Sequence, residues 1–372
     1  MIVNQAEWTK NSGWQECDLN DADLVFIFGY GDYFNSPKCY EDVKANFPKA
    51  NIVGCSTSGN ILCASISDEA VALSAVSFQD SKCELIYEDF ADISESFSVG
   101  EKLAKRLSSK DLKHILVLSD GLNINGDKLV EGLNSGACVA ISGGLAGDST
   151  SFANTFVVAN EPAKQKRVAA VGFYGDKICV NVGCRSGWDE FGPERVITKS
   201  LNNVLFEIDG KPALELYKSY LGEEANALPG SGLKFPIAIR KENESETVIR
   251  TLLAVDENEH SLTFAGNVDE GMICKLMKAN LDKLIDNSEV AANDAVANED
   301  GQSLSVAVSC VGRRLVLGQH VEDELEVIKD AYGKSSSITG FYSYGEIAPQ
   351  IGLKNCKLHN QTMTITTISE NA

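Results

Sequence analysis

Short apolar runs alternate with amphipathic helical segments through the first half of the chain. The runs are rich in β-branched residues and end in glycine or serine, which is typical of buried strands. They lie at 24–28, 52–55, 115–118 and 139–141. Helical spacing of apolar residues falls between them, at 37–46, 99–107 and 127–133. This alternation predicts an α/β layer whose sheet is at least partly parallel.

The second half is less regular. Its pattern predicts a hairpin formed by 168–174 and 178–184, a helix at 272–287, and an exposed acidic stretch at 291–300. We therefore expect an α/β protein of two domains. The first, 20–200, is an α/β layered sheet, and the second, 201–370, is a mixed, largely antiparallel sheet with helices. No internal repeat is detectable in the sequence.

The charge balance excludes several classes of partner. The 372 residues include 33 Lys and Arg against 53 Asp and Glu, a net charge of −20. So acidic a surface repels nucleic acids and anionic lipids. No signal peptide or membrane span is apparent, so we expect a cytoplasmic protein with no membrane partner. The eleven cysteines show no CxxC spacing, which excludes a recognisable zinc ribbon or thioredoxin motif.

Two glycine-rich loops follow predicted strands. The segment 54–59 has P-loop-like glycine spacing, but Asn60 and Ile61 replace the lysine and hydroxyl residue of a true P-loop. It is either a tight turn or a ligand-pocket loop, because open α/β sheets bind ligands at strand ends. The candidate pocket residues of the two loops are Gly54, Ser56, Gly59, Gly144, Gly147 and Asp148. Asp148 either caps a turn or binds a ligand.

Two further segments carry binding chemistry. Arg313 and Arg314 end a predicted strand, where they either hold a carboxylate or propionate or form salt bridges with nearby acids. Tyr342 and Tyr344 lie between glycines and either line a pocket or simply pack.

His359 is the most informative of four dispersed histidines. On a strand it shares a face with Gln361, Met363 and Ile365. An imidazole there is either an axial metal or haem ligand or a hydrogen-bonded core residue. No catalytic constellation is recognisable, so an enzyme is not expected.

Six segments, in order along the chain, resemble the FIST family of sensory domains. Together they cover nearly the whole chain as a FIST N domain (20–200) and a FIST C domain (201–370). The segments are 54–59 (GCSTSG), 121–126 (GLNING), 143–148 (GGLAGD), 309–314 (SCVGRR), 340–346 (GFYSYGE) and 358–362 (LHNQT).

The resemblance implies a bacterial ligand sensor that signals to a partner. Because glycine-rich strand ends occur in both halves and clefts between domains often bind small molecules, we expect the ligand site near the interface of the two domains. A stand-alone group in this family binds haem b, senses nitric oxide and regulates a histidine kinase or cyclic-di-GMP enzyme in trans, and through it biofilm behaviour. By that resemblance His359 is the haem ligand. With a haem there, we expect Arg313 or Arg314 to pair with a propionate and Tyr342 or Tyr344 to line the pocket. The alternative is a haem-free sensor of a small metabolite such as an amino acid. Assembly into a homo-oligomer is left open.

Overall fold

The structure of the protein is a computed structural model that describes residues 1–9, 11–15, 21–148, 152–297, 301–333, 336–349 and 355–371. Twelve strands lie before residue 175. They are β1 (Ile2–Thr9), β2 (Gly13–Trp14), β3 (Leu24–Gly29), β4 (Asn51–Ser56), β5 (Asn60–Leu62), β6 (Ser65–Ser67), β7 (Ala70–Ser77), β8 (Lys82–Asp89), β9 (Leu112–Ser119), β10 (Ala140–Leu145), β11 (Val157–Ala159) and β12 (Arg167–Tyr174). The helices among them are α1 (Gly31–Phe34), α2 (Lys38–Asn46), α3 (Ser96–Leu107) and α4 (Gly126–Gly136), with a 3₁₀ turn at Ile93–Glu95.

The described part of the second half adds fourteen strands. They are β13 (Ile178–Arg185), β14 (Asp189–Leu201), β15 (Val204–Ile208), β16 (Lys211–Pro212), β17 (Ile237–Arg240), β18 (Val248–Arg250), β19 (Leu252–Asp256), β20 (Ser261–Phe264), β21 (Ile273–Lys278), β22 (Ser303–Cys310), β23 (Ser336–Ser343), β24 (Gly345–Pro349), β25 (Cys356–His359) and β26 (Met363–Glu370). The helices are α5 (Ala213–Leu221), α6 (Leu281–Ala295), α7 (Val311–Leu317) and α8 (Asp323–Tyr332), with 3₁₀ turns at Gly222–Ala227, Gly230–Lys234 and Gly318–His320. No helix within the described ranges is both long and apolar enough to cross a bilayer.

The core is a threefold structural repeat. Each unit contributes four strands to one sheet, in the spatial order third, second, fourth, first. The four are β1, β3, β4 and β7 in unit 1, β8, β9, β10 and β12 in unit 2, and β13, β22, β23 and β26 in unit 3. In every unit the second and third strands pair in parallel, and the fourth is antiparallel to the second and to the first.

The units are joined by exchanged strands. Each unit sends one strand onto the third strand of a neighbouring unit: β5 pairs with β23, β11 with β4, and β24 with β10. The exchange is cyclic, so no unit completes its own sheet. We therefore expect the three units to fold as one body.

A glycine at the same position of each third strand is one sequence feature that the three units share. Gly54, Gly143 and Gly340 pair with Ile27, Val117 and Ala307 on the neighbouring second strands. A Cβ added to any of the three would lie 1.8–1.9 Å from the carbonyl oxygen of its partner. Only glycine permits so close an approach of the two backbones.

The apolar interior lies where the inner faces of the three sheets meet. Phe28 of unit 1 stacks on Phe341 of unit 3 with ring centroids 5.0 Å apart, and Leu118 of unit 2 belongs to the same buried cluster. Helices cover the outer faces: α2 in unit 1, α3 and α4 in unit 2, and α6 and α8 in unit 3. The predicted α/β class with partly parallel sheets is confirmed.

An eight-stranded sheet, β14–β21, interrupts unit 3 between its first and second strands. We call residues 189–278 the insert. It has its own apolar core, which α5 covers. The predicted domain boundary at residue 200 falls within β14, and that division stays a prediction.

Three sequence predictions were wrong in detail. β12 and β13 do not form a hairpin, because β12 joins β8 and β9 while β13 pairs with β26. Residues 273–278 form the strand β21 rather than the start of a helix, since β14 and β17 pair with it on both sides. The stretch at 291–300 is not exposed throughout: Ala291, Ala292 and Ala295 are buried in α6, and residues 298–300 lie outside the described residues.

Candidate functional site

The third strands of the three units end in a ring of backbone hydrogen bonds. Each N–H donates to a carbonyl oxygen of the neighbouring unit, at equivalent positions in all three. The pairs are Ser58 N–H to Tyr342 O (2.9 Å), Gly147 N–H to Ser56 O (3.0 Å) and Tyr344 N–H to Leu145 O (3.1 Å). We call this the strand-end ring. Because each end is held by its neighbours, the loops that follow it are placed accurately.

A cavity of about 290 Å³ lies beside this ring, between the core and the insert. The core contributes Gly121 and Ile124 from the loop before α4, and Cys310 from the end of β22. The insert contributes Thr251 and Leu252, among others. The cavity therefore lies at the carboxyl ends of parallel strands, the usual ligand position in α/β sheets.

The walls of the cavity are apolar and carry no charge. No Asp, Glu, Lys, Arg or His occurs among its described lining residues, although charged residues make up 23% of the chain. Three large apolar side chains at its edge stay partly exposed: Phe152 (50%), Leu253 (46%) and Leu315 (44%). A pocket of this kind, with an exposed apolar rim, is typical of a small-molecule site.

Asp148 and Tyr344 fix one wall. The Tyr344 hydroxyl donates to the Asp148 carboxylate, whose oxygens also accept the backbone N–H groups of Phe152, Ala153 and Asn154 at 2.6–2.9 Å. The Phe152 ring then stacks on Tyr344, with centroids 4.6 Å apart. Burial and the neighbouring carboxylate raise the pKa of Tyr344. The tyrosine therefore stays neutral and links Asp148 to Phe152.

Unpartnered polar groups gather at the inner wall. Thr251 lines the cavity and is 5% exposed, and its buried hydroxyl has no hydrogen-bond partner among the described residues. The amide of Gln361 is fully buried and also unpartnered, and it lies against Gly312 of the cavity wall. Asn360, next to Gln361 in the chain, carries a second unpartnered amide. Cys310 lies beside them, and burial raises the pKa of its thiol, which stays protonated.

A buried arginine fastens the insert to the core. Arg250 of β18 donates to Asp127 of α4 (2.9 Å) and to the carbonyl of Leu358 (3.0 Å). Asp127 also accepts the backbone N–H of Asn267 at 2.7 Å. We call Arg250, Asp127 and Asn267 the latch. It lies at the edge of the cavity, because Gly126 next to Asp127 is a lining residue.

Glu346 follows the strand-end ring in unit 3 and is fully buried. Its carboxyl accepts the Ser343 hydroxyl and the Thr362 hydroxyl and backbone N–H. Burial raises the pKa of Glu346 to about 7, against the lowering effect of these donors. This carboxyl therefore changes charge near neutral pH.

Two family models match this chain. The FIST N domain matches residues 23–211, and the FIST C domain matches residues 213–349. The chain belongs to the FIST family. FIST domains are sensor-type signalling domains, so the cavity is the candidate ligand site of a sensor.

More distant similarities include one curated protein and one solved structure. An uncharacterised protein from Methanocaldococcus jannaschii is 22% identical over an alignment of 364 positions, gaps included, that covers 87% of this chain and 69% of that protein. A crystal structure of cyanuric acid hydrolase from A. caulinodans covers 78% of this chain and 100% of that one, with 9% identity and a TM-score of 0.19. A TM-score of 0.19 is too low to indicate a shared fold.

Five of the six FIST motifs meet around the cavity. Its lining includes Gly121 and Gly126, Leu145, Cys310 to Gly312, and Tyr344, while 358–362 lies directly behind. The sixth motif, 54–59, is at the strand-end ring, where Ser56 and Ser58 bond to the other units. Of the loop residues predicted for a pocket, Gly54, Ser56, Gly59, Gly144 and Gly147 are in the core or the ring and do not line this cavity.

The adjacent arginines have separate structural contacts. Arg313 is fully buried and paired with Glu324 at 2.8 Å, and Tyr342 donates to the same carboxylate at 2.7 Å. Arg314 pairs with Asp68 at 2.7 Å and donates to the carbonyl of Ser58. Both guanidinium groups are therefore already engaged by acids, as the salt-bridge interpretation predicts.

His359 lies at a different cavity, of about 310 Å³. Burial lowers the pKa of His359 to about 4, so the imidazole is neutral, as a metal ligand must be. Its Nε2–H, however, faces the Ala348 carbonyl at 3.3 Å, and the described walls are mostly polar, with Ile249 and Pro349 as exceptions. Arg313, Arg314, Tyr342 and Tyr344 do not line it. This arrangement does not fit the two apolar faces of a haem, and haem binding stays a prediction.

Four residues near the cavity were not predicted as site residues: Thr251, Cys310, Gln361 and Glu346. Cys310, Gln361 and Glu346 do lie within the FIST motifs 309–314, 358–362 and 340–346. Thr251 gives no signal, because it separates two ordinary-looking strands. β18 and β19 run to opposite edges of the insert sheet, and Thr251 lies at the point where they part.

Proposed function

We propose that this FIST protein senses a small, uncharged, largely apolar ligand in the cavity between core and insert. The observation that carries the proposal is a charge-free cavity, walled by both parts of the molecule, in a chain of net charge −20. A charged ligand would lose its hydration there with no ion of opposite sign in the wall, at a high cost in free energy.

The size of the cavity supports the same class of ligand. An apolar cavity of about 150 Å³ accommodates benzene. At about 290 Å³, this one has room for an aromatic ring with a short substituent.

The position of the cavity gives a route to signalling. A ligand that touches both walls binds more tightly when the insert is docked than when it is loose, and such a difference in affinity shifts the equilibrium between the two states. The latch lies at the edge of the cavity, so ligand and latch stabilise the same docked state. The surface of the insert then reports ligand occupancy to a partner.

The test uses ethylbenzene as a probe and two matched variants. Ala265→Phe places a ring at a lining position, whereas Ala254→Phe places the same ring at an exposed position nearby on the insert sheet. We expect ethylbenzene to raise the Tm of the wild type and of Ala254→Phe but not of Ala265→Phe. Equal shifts in all three proteins, or a shift in none, would contradict binding in this cavity.

Haem b at His359, nitric oxide as its ligand, and a histidine kinase or cyclic-di-GMP enzyme as the target remain proposals from the family resemblance. A neutral buried imidazole is the observation that favours them. Purification with haem supplied, followed by His359→Ala, separates the two proposals. A Soret band that disappears in the variant while the far-UV circular dichroism is unchanged supports ligation. If the wild-type protein shows no Soret band, the haem proposal fails and only the proposal of an apolar ligand remains.

A further inference from the structure

The polar groups at the inner wall of the cavity are arranged for a hydrogen-bonding ligand. Buried hydroxyls and amides in proteins nearly always have partners, since an unpaired one carries a desolvation cost. Thr251, which lines the cavity, and Gln361, which lies directly behind Gly312 of its wall, both break this rule. A ligand that supplied the missing partners would remove the cost, so these groups point to what the cavity binds.

The two groups come from the two parts of the molecule and are held rigidly. Thr251 belongs to the insert, where its carbonyl accepts the Ala265 N–H at 2.9 Å. Gln361 belongs to the core. Its backbone has a φ of +62°, a conformation that residues other than glycine rarely adopt. Its carbonyl accepts the Trp188 Nε1–H at 3.1 Å.

Gly312 leaves space at the wall for the Gln361 amide. A Cβ on Gly312 would lie 2.5 Å from Nε2 and 2.8 Å from Oε1 of Gln361. Any larger residue would therefore displace the amide. The amide is held at the wall although it bonds to no described protein group, as expected of a group kept for a ligand.

The chemistry of these groups selects a ligand class. A glutamine amide presents an acceptor oxygen and a donor NH₂ group on the same carbon, and a threonine hydroxyl both donates and accepts. Their complement is a neutral group with C=O and N–H side by side. We propose that the ligand carries a carboxamide or lactam on an apolar ring, bound between the Thr251 hydroxyl and the Gln361 amide. This inference rests on the proposed function of the cavity.

The experiment compares three probes of nearly equal size: benzamide, benzoate and ethylbenzene. We expect benzamide and ethylbenzene to bind the wild type, and benzoate to bind at least about a hundredfold more weakly than benzamide because its charge has no counter-ion in the wall. Thr251→Val and Gln361→Met remove the hydrogen-bonding groups with little change of volume. Each should weaken benzamide about tenfold and change ethylbenzene less than about twofold.

Controls separate this inference from the proposed function. Thr247→Val makes the same change outside the cavity and should leave both affinities unchanged. Thr251→Val should leave the free protein as stable as the wild type or more so, because the lost hydroxyl has no partner there; a clear loss of stability would overturn the inference. Binding of ethylbenzene with no effect of either variant on benzamide would overturn it too, while the proposed function stands. Failure of both probes to bind would contradict the proposed function itself.

Discussion

At the strand-end ring the three units are equivalent, whereas at the cavity they are not. The ring uses the backbone of each third strand in the same way, with donor and acceptor at the same two positions. Around the cavity, unit 2 contributes the loop 121–126, unit 3 contributes Cys310 and Tyr344, and the insert closes the remaining side. Unit 1 contributes no described lining residue.

The difference shows which features a repeat must keep. Backbone contacts in the ring tolerate many side chains but demand close approach, so glycine recurs beneath it at 54, 143 and 340. Residues just past the second strands are free to differ: Tyr30 is exposed, Asp120 organises a loop by accepting four hydrogen bonds or more, and Cys310 faces the cavity. We therefore expect ligand specificity to come from the cavity, where the three units carry different residues.

The largest loss of stability is expected from replacing one of the three equivalent glycines. In Gly340→Ala the new Cβ would lie 1.8 Å from the Ala307 carbonyl oxygen, and backbone on both sides prevents an easy adjustment. We expect a loss of about 4 kcal/mol or more in the free energy of unfolding, measured in urea. Gly54→Ala and Gly143→Ala should cost a similar amount.

Gly31→Ala is the matched control for this series. Its Cβ would meet nothing within 4 Å, and the residue begins α1. We expect a change within about 1 kcal/mol, in the stabilising direction. If Gly340→Ala were as mild as Gly31→Ala, the close approach of the second and third strands would not be a requirement of the repeat.

The sequence predicts local features well and long-range ones poorly. Short β-branched runs ending in glycine correctly gave β3, β4, β9 and β10, because strand formation and turn chemistry are local. The threefold repeat was missed because its units share little beyond one glycine, and the insert divides the third. Ile273–Lys278 was read as a helix because its pairing with β14 and β17 is not local.

The candidate site shows the same limit. The motifs at 121–126, 143–148, 309–314 and 340–346 are visible in the sequence as glycine-rich strand ends, and each contributes a lining residue to the cavity. Which arginine of the pair is buried was not visible: Arg313 bonds to Glu324 of α8, eleven residues away. The long chain separation between Thr251, which lines the cavity, and Gln361, which lies behind Gly312 of its wall, likewise hides their relation in the sequence.

The second-largest effect is expected at the latch, which fastens the insert to the core at the edge of the cavity. Arg250→Met removes the cation of the latch and leaves Asp127, which is mostly buried, without its ion pair. Loss of one partner of a buried pair costs about 3 kcal/mol, and we expect hydrogen exchange to rise first at Val248–Arg250. Arg240→Met, which breaks the more exposed pair with Glu194 within the insert, should cost less than about 1 kcal/mol. Equal effects of the two variants would show that the latch does not fasten the insert.

The smallest effect depends on pH and tests Glu346, which lies next to the ring in unit 3 only. Its pKa is raised to about 7 in the folded protein, against about 4.3 in an unfolded chain. The unfolded state then holds fewer protons than the folded state between these values, so this group's contribution to stability falls as pH rises from about 4.5 to 7. Glu346→Gln mimics the neutral acid, because its amide oxygen can accept from Thr362 while its NH₂ donates to the Ser343 hydroxyl. We expect the variant to match the wild type at about pH 4 and to exceed it by about 1–3 kcal/mol at pH 8, measured by urea unfolding. A difference that does not change with pH would show that the Glu346 carboxyl is ionised throughout this range.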